Sequence, residues 1–106
     1  MTPALTPALA LDYLRELSAD IRAGVVLAAD GELLAGADDL VGPARDLMAA
    51  AGDAVDLHVT TADGAVFAAR DARHAIVVAC GRFALPSLAR YDLRMVLADL
   101  AGEAAA

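Results

Sequence analysis

The chain has 106 residues, a net charge of −7 and no lysine, because all eight of its basic residues are arginine. This length predicts a single domain, and the missing lysine excludes both a lysine-dependent phosphate-binding loop and a lysine Schiff base. The acidic balance argues against binding to nucleic acid, and the one cysteine, Cys80, rules out an internal disulfide.

The apolar segments are too short to cross a membrane. The longest runs, Ala23–Ala29 and Ala75–Gly81, have seven residues each, whereas a transmembrane helix needs about 20. The N-terminal segment carries no positive charge ahead of Asp12, so it does not have the pattern of a secretory signal. With a single cysteine as well, the sequence predicts a cytoplasmic protein without a membrane span.

The first predicted element is a helix. Thr6 offers a capping hydroxyl and Pro7 follows at the first helical position, which predicts a helix from Pro7 to about Ser18. Three- and four-residue spacing predicts that its apolar face consists of Tyr13, Leu14 and Leu17, with Ile21 following.

A hairpin and a second helix come next. The apolar run Val25–Ala29 ends at Asp30-Gly31, a dipeptide that predicts a two-residue turn in which both residues have positive φ, and Glu32–Gly36 returns as a second strand. The second helix begins either at Asp38-Asp39 or at Gly42-Pro43, and Gly52 predicts its end. Its apolar stripe contains Leu40, Val41, Ala44, Leu47, Met48 and Ala51.

Three strands and a final helix complete the chain. Apolar residues at positions 55, 57 and 59 alternate with polar ones, which predicts a half-exposed or edge strand. Asp63-Gly64 repeats the hairpin signal before a fourth strand, Ala65–Arg70, and a fifth strand, His74–Cys80, is apolar on both faces. The last helix is predicted to start at Pro86 and to pack through Ala89, Leu93, Val96, Leu97 and Leu100.

These elements predict one α/β (α+β) sandwich. The single domain spans 1–106, with a core at about 7–101, a helix end at Gly102 and a short frayed C-terminal tail. Its hairpins predict a five-stranded antiparallel sheet, with helices one and three on one face and helix two on the other. One short helix cannot cover a whole face of such a sheet, so part of that face is expected to need a partner.

The order α-β-β-α-β-β-β-α resembles the roadblock family, whose best-known member is a dynein light chain, and which has a profilin-like fold. The resemblance covers about residues 11–101. It rests on the segment Ile21-Arg22-Ala23-Gly24 leading into the first strand, the two Asp-Gly turns, the alanine-rich second helix, and the strand ending in Cys80-Gly81.

The resemblance implies a homodimer formed through the second helix and the third strand. The implied interface residues are Leu40, Val41, Ala44, Leu47, Met48, Ala51, Val55, Leu57 and Val59. Bacterial members of the family partner small Ras-like GTPases, so the resemblance also implies a GTPase partner. Polar residues beside the helix stripe are candidate contacts to it: Asp39, Arg45 and Asp46. The longer GTPase-activating relatives carry a C-terminal extension that this sequence lacks.

Catalytic and metal constellations are missing from the sequence. His58 and His74 lie on different predicted strands without further ligands at metal-binding spacing, and Cys80 has the setting of a small buried hydrophobe. Arg70, Arg73 and Arg82 either converge at one end of the sheet or are solvated charges. We therefore expect a non-enzymatic regulator or scaffold without metal or cofactor. The alternative is a profilin-like module that senses a small molecule or binds other proteins.

Overall fold

The structure, a computed structural model, describes residues 5–105, with side chains up to residue 100. It contains the eight predicted elements in the predicted order. They are α1 (Pro7–Leu17), β1 (Ile21–Ala28), β2 (Leu33–Gly36), α2 (Asp38–Ala50), β3 (Asp56–Thr60), β4 (Ala65–Arg70), β5 (His74–Cys80) and α3 (Pro86–Ala105).

All five strands form one antiparallel sheet, in the order β2-β1-β5-β4-β3. Two neighbouring interior strands, β1 and β5, carry the longest buried runs, Gly24–Leu27 and Ala75–Val78. Continuous burial fits strands that are covered on both faces. The polar–apolar alternation of β3 fits its place at an edge of the sheet, as predicted.

The sheet separates two clusters of core side chains. On one face, α1 and α3 pack onto Val26, Phe67, Ile76 and Val78, and the alternate positions Val25, Leu27, Ala68 and Val77 face α2. Successive side chains in a strand point to opposite faces, so each strand contributes to both clusters. The predicted sandwich is confirmed, with α1 and α3 on one face and α2 on the other.

The first hairpin differs from its prediction. Ala28 donates to the carbonyl of Glu32, closing a three-residue loop, and in that loop only Gly31 has positive φ, at 90°. The Asp30 carboxylate accepts a hydrogen bond from the Glu32 amide. A three-residue loop that ends in one left-handed glycine is a common hairpin connection. The prediction of positive φ at both Asp30 and Gly31 is therefore wrong for Asp30.

The helices follow the predicted signals at their N-termini. The Thr6 hydroxyl accepts a hydrogen bond from Leu9 N at 3.2 Å, as expected for a cap. Helix α2 begins at Asp38, which decides between its two predicted starts, and Pro43 lies inside it. Gly52 follows the helix with φ of 60°, as predicted for its end.

The apolar face of α1 was mispredicted. Its buried residues are Ala10, Leu11 and Leu14, while Tyr13 and Leu17 are exposed. Strand β1 also starts four residues before its predicted position, at Ile21. Both differences meet at Gly24, where a Cβ atom would lie 3.0 Å from Leu11 Cδ2. Gly24, which lies inside β1, thus leaves room for Leu11, one of the buried residues of α1.

Helix α3 continues to Ala105, past Gly102, where its end was predicted. One glycine costs a helix only about 1 kcal/mol relative to alanine, so it does not oblige the helix to stop among alanines. The frayed tail was predicted to reach Ala106, which lies outside the described residues. None of the described helices is long and apolar enough to cross a bilayer.

Candidate functional site

Strand β3 leaves one edge of the sheet open. It pairs with β4 alone, from Asp56↔Ala69 to Thr60↔Ala65. Val59, on the α2 side, is 39% exposed, and Val55, immediately before the strand, is 65% exposed. An edge strand that shows free backbone groups beside apolar side chains is a template for pairing with another strand.

A groove runs between this edge and α2. It has a volume of about 170 Å³ and an almost wholly apolar lining. Leu40, Pro43 and Leu47 of α2 form one wall and Val59 of β3 belongs to the other, with Ala44 among the residues at its base. An apolar groove of this kind is a surface that a partner side chain can fill.

The predicted interface residues do not all meet at this groove. Leu40, Ala44, Leu47 and Val59 line it, and Ala44 is fully buried against its own sheet. Val41, Leu57 and Met48 are half-buried against the α2-side core. Met48 and Val55 also line a different, larger cavity. The structure therefore divides the predicted stripe between two sites.

The larger cavity has a volume of about 770 Å³. It opens where the β1–β2 turn, the C-terminal half of α2 and the β4–β5 turn come together, with Asp30, Arg45, Met48, Arg70 and His74 among its lining residues. This volume is within the range of small-molecule sites.

Arg70 is a structural residue at this cavity. Its Nε donates to Ala54 O at 2.8 Å, its Nη1 to Met48 O at 3.2 Å, and its Nη2 to Gly52 O. The guanidinium thus satisfies carbonyls at the end of α2 and in the connection to β3, where the helix dipole favours a cation. Treating Arg70 as a solvated charge was wrong, and no sequence motif marks its role.

The three arginines considered together do not converge. Arg70 and Arg73 flank the turn that leads into β5, whereas Arg82 follows the far end of that strand. Arg73 and Arg82 are exposed, as expected for solvated charges. A seven-residue strand separates the two ends by roughly 20 Å.

The candidate GTPase contacts all lie exposed on α2. Asp39 is in its first turn, and Arg45 and Asp46 are near its middle. Arg45 Nε donates to Gly31 O at 2.7 Å, which connects the helix to the β1–β2 turn and fixes the guanidinium beside the large cavity. The β1–β2 turn therefore holds the Arg45 side chain in place.

On the opposite face of the sheet, the Asp56 carboxylate of β3 forms salt bridges with two arginines of α3. Arg94 Nη2 lies 2.7 Å from one carboxylate oxygen and Arg90 Nη2 lies 2.9 Å from the other. The hydrogen bond from Arg94 lowers the pKa of the Asp56 carboxyl, and this outweighs the opposing effect of partial burial. These ion pairs attach the edge strand to α3.

The two histidines and the cysteine, considered above as candidate metal or catalytic residues, lie in different environments. The His58 ring is exposed and stacks on Phe67, with centroids 4.5 Å apart. His74 lies on β5, and its Nδ1 is buried without a hydrogen-bond partner. Cys80 is buried, as predicted, and burial raises the pKa of its thiol to about 11, with a further contribution from the Asp20 carboxylate. Within the described residues, no three potential metal ligands come together.

The sequence matches no protein-family model, and no curated protein matches it significantly. Solved structures do match. The Roadblock/LC7 domain from Streptomyces avermitilis is 19% identical with a TM-score of 0.70, and the match covers 84% of this chain and 92% of that one. Myxococcus xanthus MglB is 15% identical with a TM-score of 0.74, covering 88% and 83% of the two chains.

Profilin II from Acanthamoeba castellanii is also similar, at 11% identity and a TM-score of 0.65, covering 93% of this chain and 99% of that one. At such low identities the similarity establishes the fold. The resemblance to roadblock domains seen in the sequence is thereby confirmed for the fold, which is the α+β, profilin-like arrangement.

Proposed function

Because the chain has the roadblock fold, we propose that it is a homodimeric, non-enzymatic regulator or scaffold of a small Ras-like GTPase. The observation that carries the dimer is the unfilled apolar groove between Leu47 of α2 and Val59 of β3, next to the open edge of the sheet. A two-fold axis beside β3 would place the same groove and edge of a second copy against them. Such a self-complementary arrangement is the commonest way in which proteins form dimers.

The GTPase partner is supported by the fold and by the polar residues of α2. Asp39, Arg45 and Asp46 stand outside the apolar stripe, so dimerisation through that stripe leaves them accessible. GTPase switch segments change their order with the γ-phosphate. A surface that contacts those segments binds the two nucleotide states with different affinity, and only such a difference can shift their populations.

Light scattering tests the dimer. At micromolar concentration we expect twice the mass of the 10.8 kDa chain. Leu47→Asp should produce a folded monomer, since an unpaired carboxylate in an apolar interface costs several kcal/mol. Leu17→Asp is the matched control, because Leu17 is an exposed leucine of α1 on the other side of the sheet. A monomeric wild type, or equal behaviour of the two variants, would refute the proposed interface.

Titration calorimetry tests the GTPase partner. The Ras-like GTPase encoded nearest to this chain's gene would be loaded with GDP or with a non-hydrolysable GTP analogue. We expect affinities that differ by about 5- to 150-fold, the usual range of allosteric coupling. Arg45→Glu with Asp46→Arg should weaken binding while the protein remains dimeric, and Asp12→Arg on α1 is the control. Equal affinity for both forms would reject the role of a regulator and support that of a scaffold. No binding to either form would reject the GTPase partner.

The large cavity favours a second candidate, a small-molecule sensor. Its volume of about 770 Å³ and its mixed lining of arginine, aspartate, histidine and apolar side chains suit a small polar ligand. A small molecule that raises the melting temperature without any protein partner, and that loses this effect in Met48→Trp, would support the sensor.

A further inference from the structure

Only every second residue of β3 has backbone N–H and C=O groups that are free to form hydrogen bonds with an additional strand. Arg70 N donates to Val55 O at 2.9 Å and Thr61 N donates to Gly64 O at 2.9 Å. Both bonds fit the β3–β4 register, and directly opposed residues in an antiparallel ladder alternate between bonded and non-bonded pairs. The residues of β3 that bond to β4 are therefore the odd-numbered ones. The N–H and C=O groups of Asp56, His58 and Thr60 point to the free edge.

The side chains of these three residues share one face. His58 faces Phe67 in a non-bonded pair, the kind in which side chains lie closest, and the two rings stack at 4.5 Å with planes 19° apart. Because Phe67 belongs to the core beneath α1 and α3, His58 lies on that side of the sheet. Leu57 and Val59 point to the α2 side, where the apolar groove lies.

The alternation restricts how a second copy can pair with β3. A two-fold axis must place even-numbered residues opposite even-numbered ones, since only those have free backbone groups. One arrangement uses the whole strand: Asp56 opposite the partner's Thr60, and His58 opposite the partner's His58. Shifting the strands by one bonded pair in either direction leaves Asp56 or Thr60 opposite a residue outside the strand. Full overlap also sets Leu57 against the partner's Val59 on the apolar side.

We infer, on the basis of the proposed homodimer, that the two His58 imidazoles face each other across the axis and make dimerisation sensitive to pH. Cα atoms of a bonded antiparallel pair are about 5.5 Å apart. Neutral imidazoles tolerate this proximity, whereas two imidazolium ions repel each other. Histidine gains its charge between pH 8 and pH 5, so the dimer weakens as the pH falls through that range.

The charges around His58 do not neutralise such a pair. On its own strand, Asp56 is engaged by Arg90 and Arg94, which leaves this group with a net positive charge. On β4, the residues opposite and diagonal to His58 are Phe67, Ala65 and Ala69, none of them charged. Among the described side chains of α3, Arg90 and Arg94 are the ones that form ion pairs with β3.

Two more carboxylates belong to α3 and to the turn after β3. Asp99 is five residues after Arg94, so it projects from α3 about 140° away from it. Asp63 lies in the turn beyond the end of β3. The diagonal neighbours of His58 across the axis are the partner's Asp56, already paired with arginines, and the partner's Thr60. Protonation of both histidines therefore brings repulsion that the surroundings leave largely uncompensated.

Sedimentation equilibrium between pH 8 and pH 5.5 tests this inference. We expect the dimer Kd to rise on the order of tenfold at pH 5.5, as for two unit charges about 6 Å apart in a partly screened environment. His58→Phe keeps a ring on Phe67 but cannot take a proton, so its dimer should lose the pH dependence. His58→Gln provides a second uncharged variant. His74→Gln, which alters the only other histidine, should behave like the wild type.

The outcomes separate this inference from the dimer itself. A monomer at every pH would refute the proposed function together with the inference. A dimer that is equally tight at both pH values, or whose pH dependence survives in both His58 variants, would overturn the inference alone. A dimer that tightens at pH 5.5 would also overturn it. Tighter association at pH 5.5 would indicate a shifted register with Leu57 on the axis, in which His58 faces the partner's Asp56.

Discussion

The two faces of the sheet are covered by their helices to different extents. Among the described side chains, the core between the sheet and helices α1 and α3 contains thirteen buried residues, including Phe67 and Ile76 of the sheet and Leu14 and Leu93 of the helices. The core between the sheet and α2 contains six, and the residues packed around them, such as Leu40, Leu47 and Met48, are only half-buried. Both the apolar groove and the large cavity are on this second side.

The difference places the better-packed core on the α1/α3 side and the open apolar surface on the α2 side, where we propose that other molecules bind. Two helices can cover a five-stranded face, while the single 13-residue α2 is too small to do so. The α1/α3 face is therefore covered within the chain, whereas part of the α2 face stays open. Substitutions on the first face should therefore act on folding, and substitutions on the second should act mainly on association.

The largest effect is expected from Phe67→Ala. Removing this fully buried ring should lower the free energy of unfolding by about 3 to 5 kcal/mol. Leu40→Ala, on the half-buried α2 side, should cost only about 1 to 2 kcal/mol. Urea denaturation of both variants in the monomeric Leu47→Asp background measures the contrast without a contribution from association. Equal losses would mean that the two faces stabilise the fold equally.

A smaller effect is expected from Arg70→Met, which sharpens the comparison within the α2 side. The variant keeps much of the side-chain length but leaves three carbonyls without their donor. We expect a loss of about 2 to 3 kcal/mol in the free energy of unfolding. Arg73→Met, three residues later and exposed, should change it very little. If the two variants unfold alike, Arg70 does not hold the α2–β3 connection.

The smallest effect is expected from Asp56→Asn, at the ion pairs between β3 and α3 on the α1/α3 side. The folded-state pKa of Asp56 is lowered, so its ion pairs stabilise the fold above the unfolded-state pKa and stop doing so as the pH falls through the folded one. Because both arginines are largely exposed, we expect less than about 1 kcal/mol at pH 7. Urea denaturation at pH 7 and pH 3 should show this difference shrinking at the lower pH, with Asp12→Asn as control. A difference that persists at pH 3 would point to packing instead of charge.

Local signals predicted most of the architecture. The Thr6-Pro7 cap, the Asp-Gly turns and the uninterrupted apolar runs of β1 and β5 each depend on interactions within a few residues, so they can be read without knowledge of the fold. The same holds for the apolar stripe of α3. Helix α1 gave no such guidance, because apolar residues occur almost all round it.

The candidate site was less predictable. The α2 stripe and β3 were identified, but periodicity cannot show that Met48 turns toward one cavity while Leu47 lines another. Arg70 was considered as a candidate, but its structural role was not predicted, because its three partners are backbone carbonyls 16 to 22 residues away. A backbone acceptor has no sequence signature, since every residue carries one.

By itself, the sequence determined the order of the elements and the two strands, β1 and β5, that are apolar on both faces. These features follow from hydrophobic period and turn chemistry, which act over short stretches of chain. Only the tertiary structure decided which side of α1 packs, since Gly24 opens the space that Leu11 approaches. It also decided which backbone groups of β3 remain free, because that depends on the hydrogen bonds β3 makes with β4. Packing and register are relations between distant segments, so they are settled only when the segments meet.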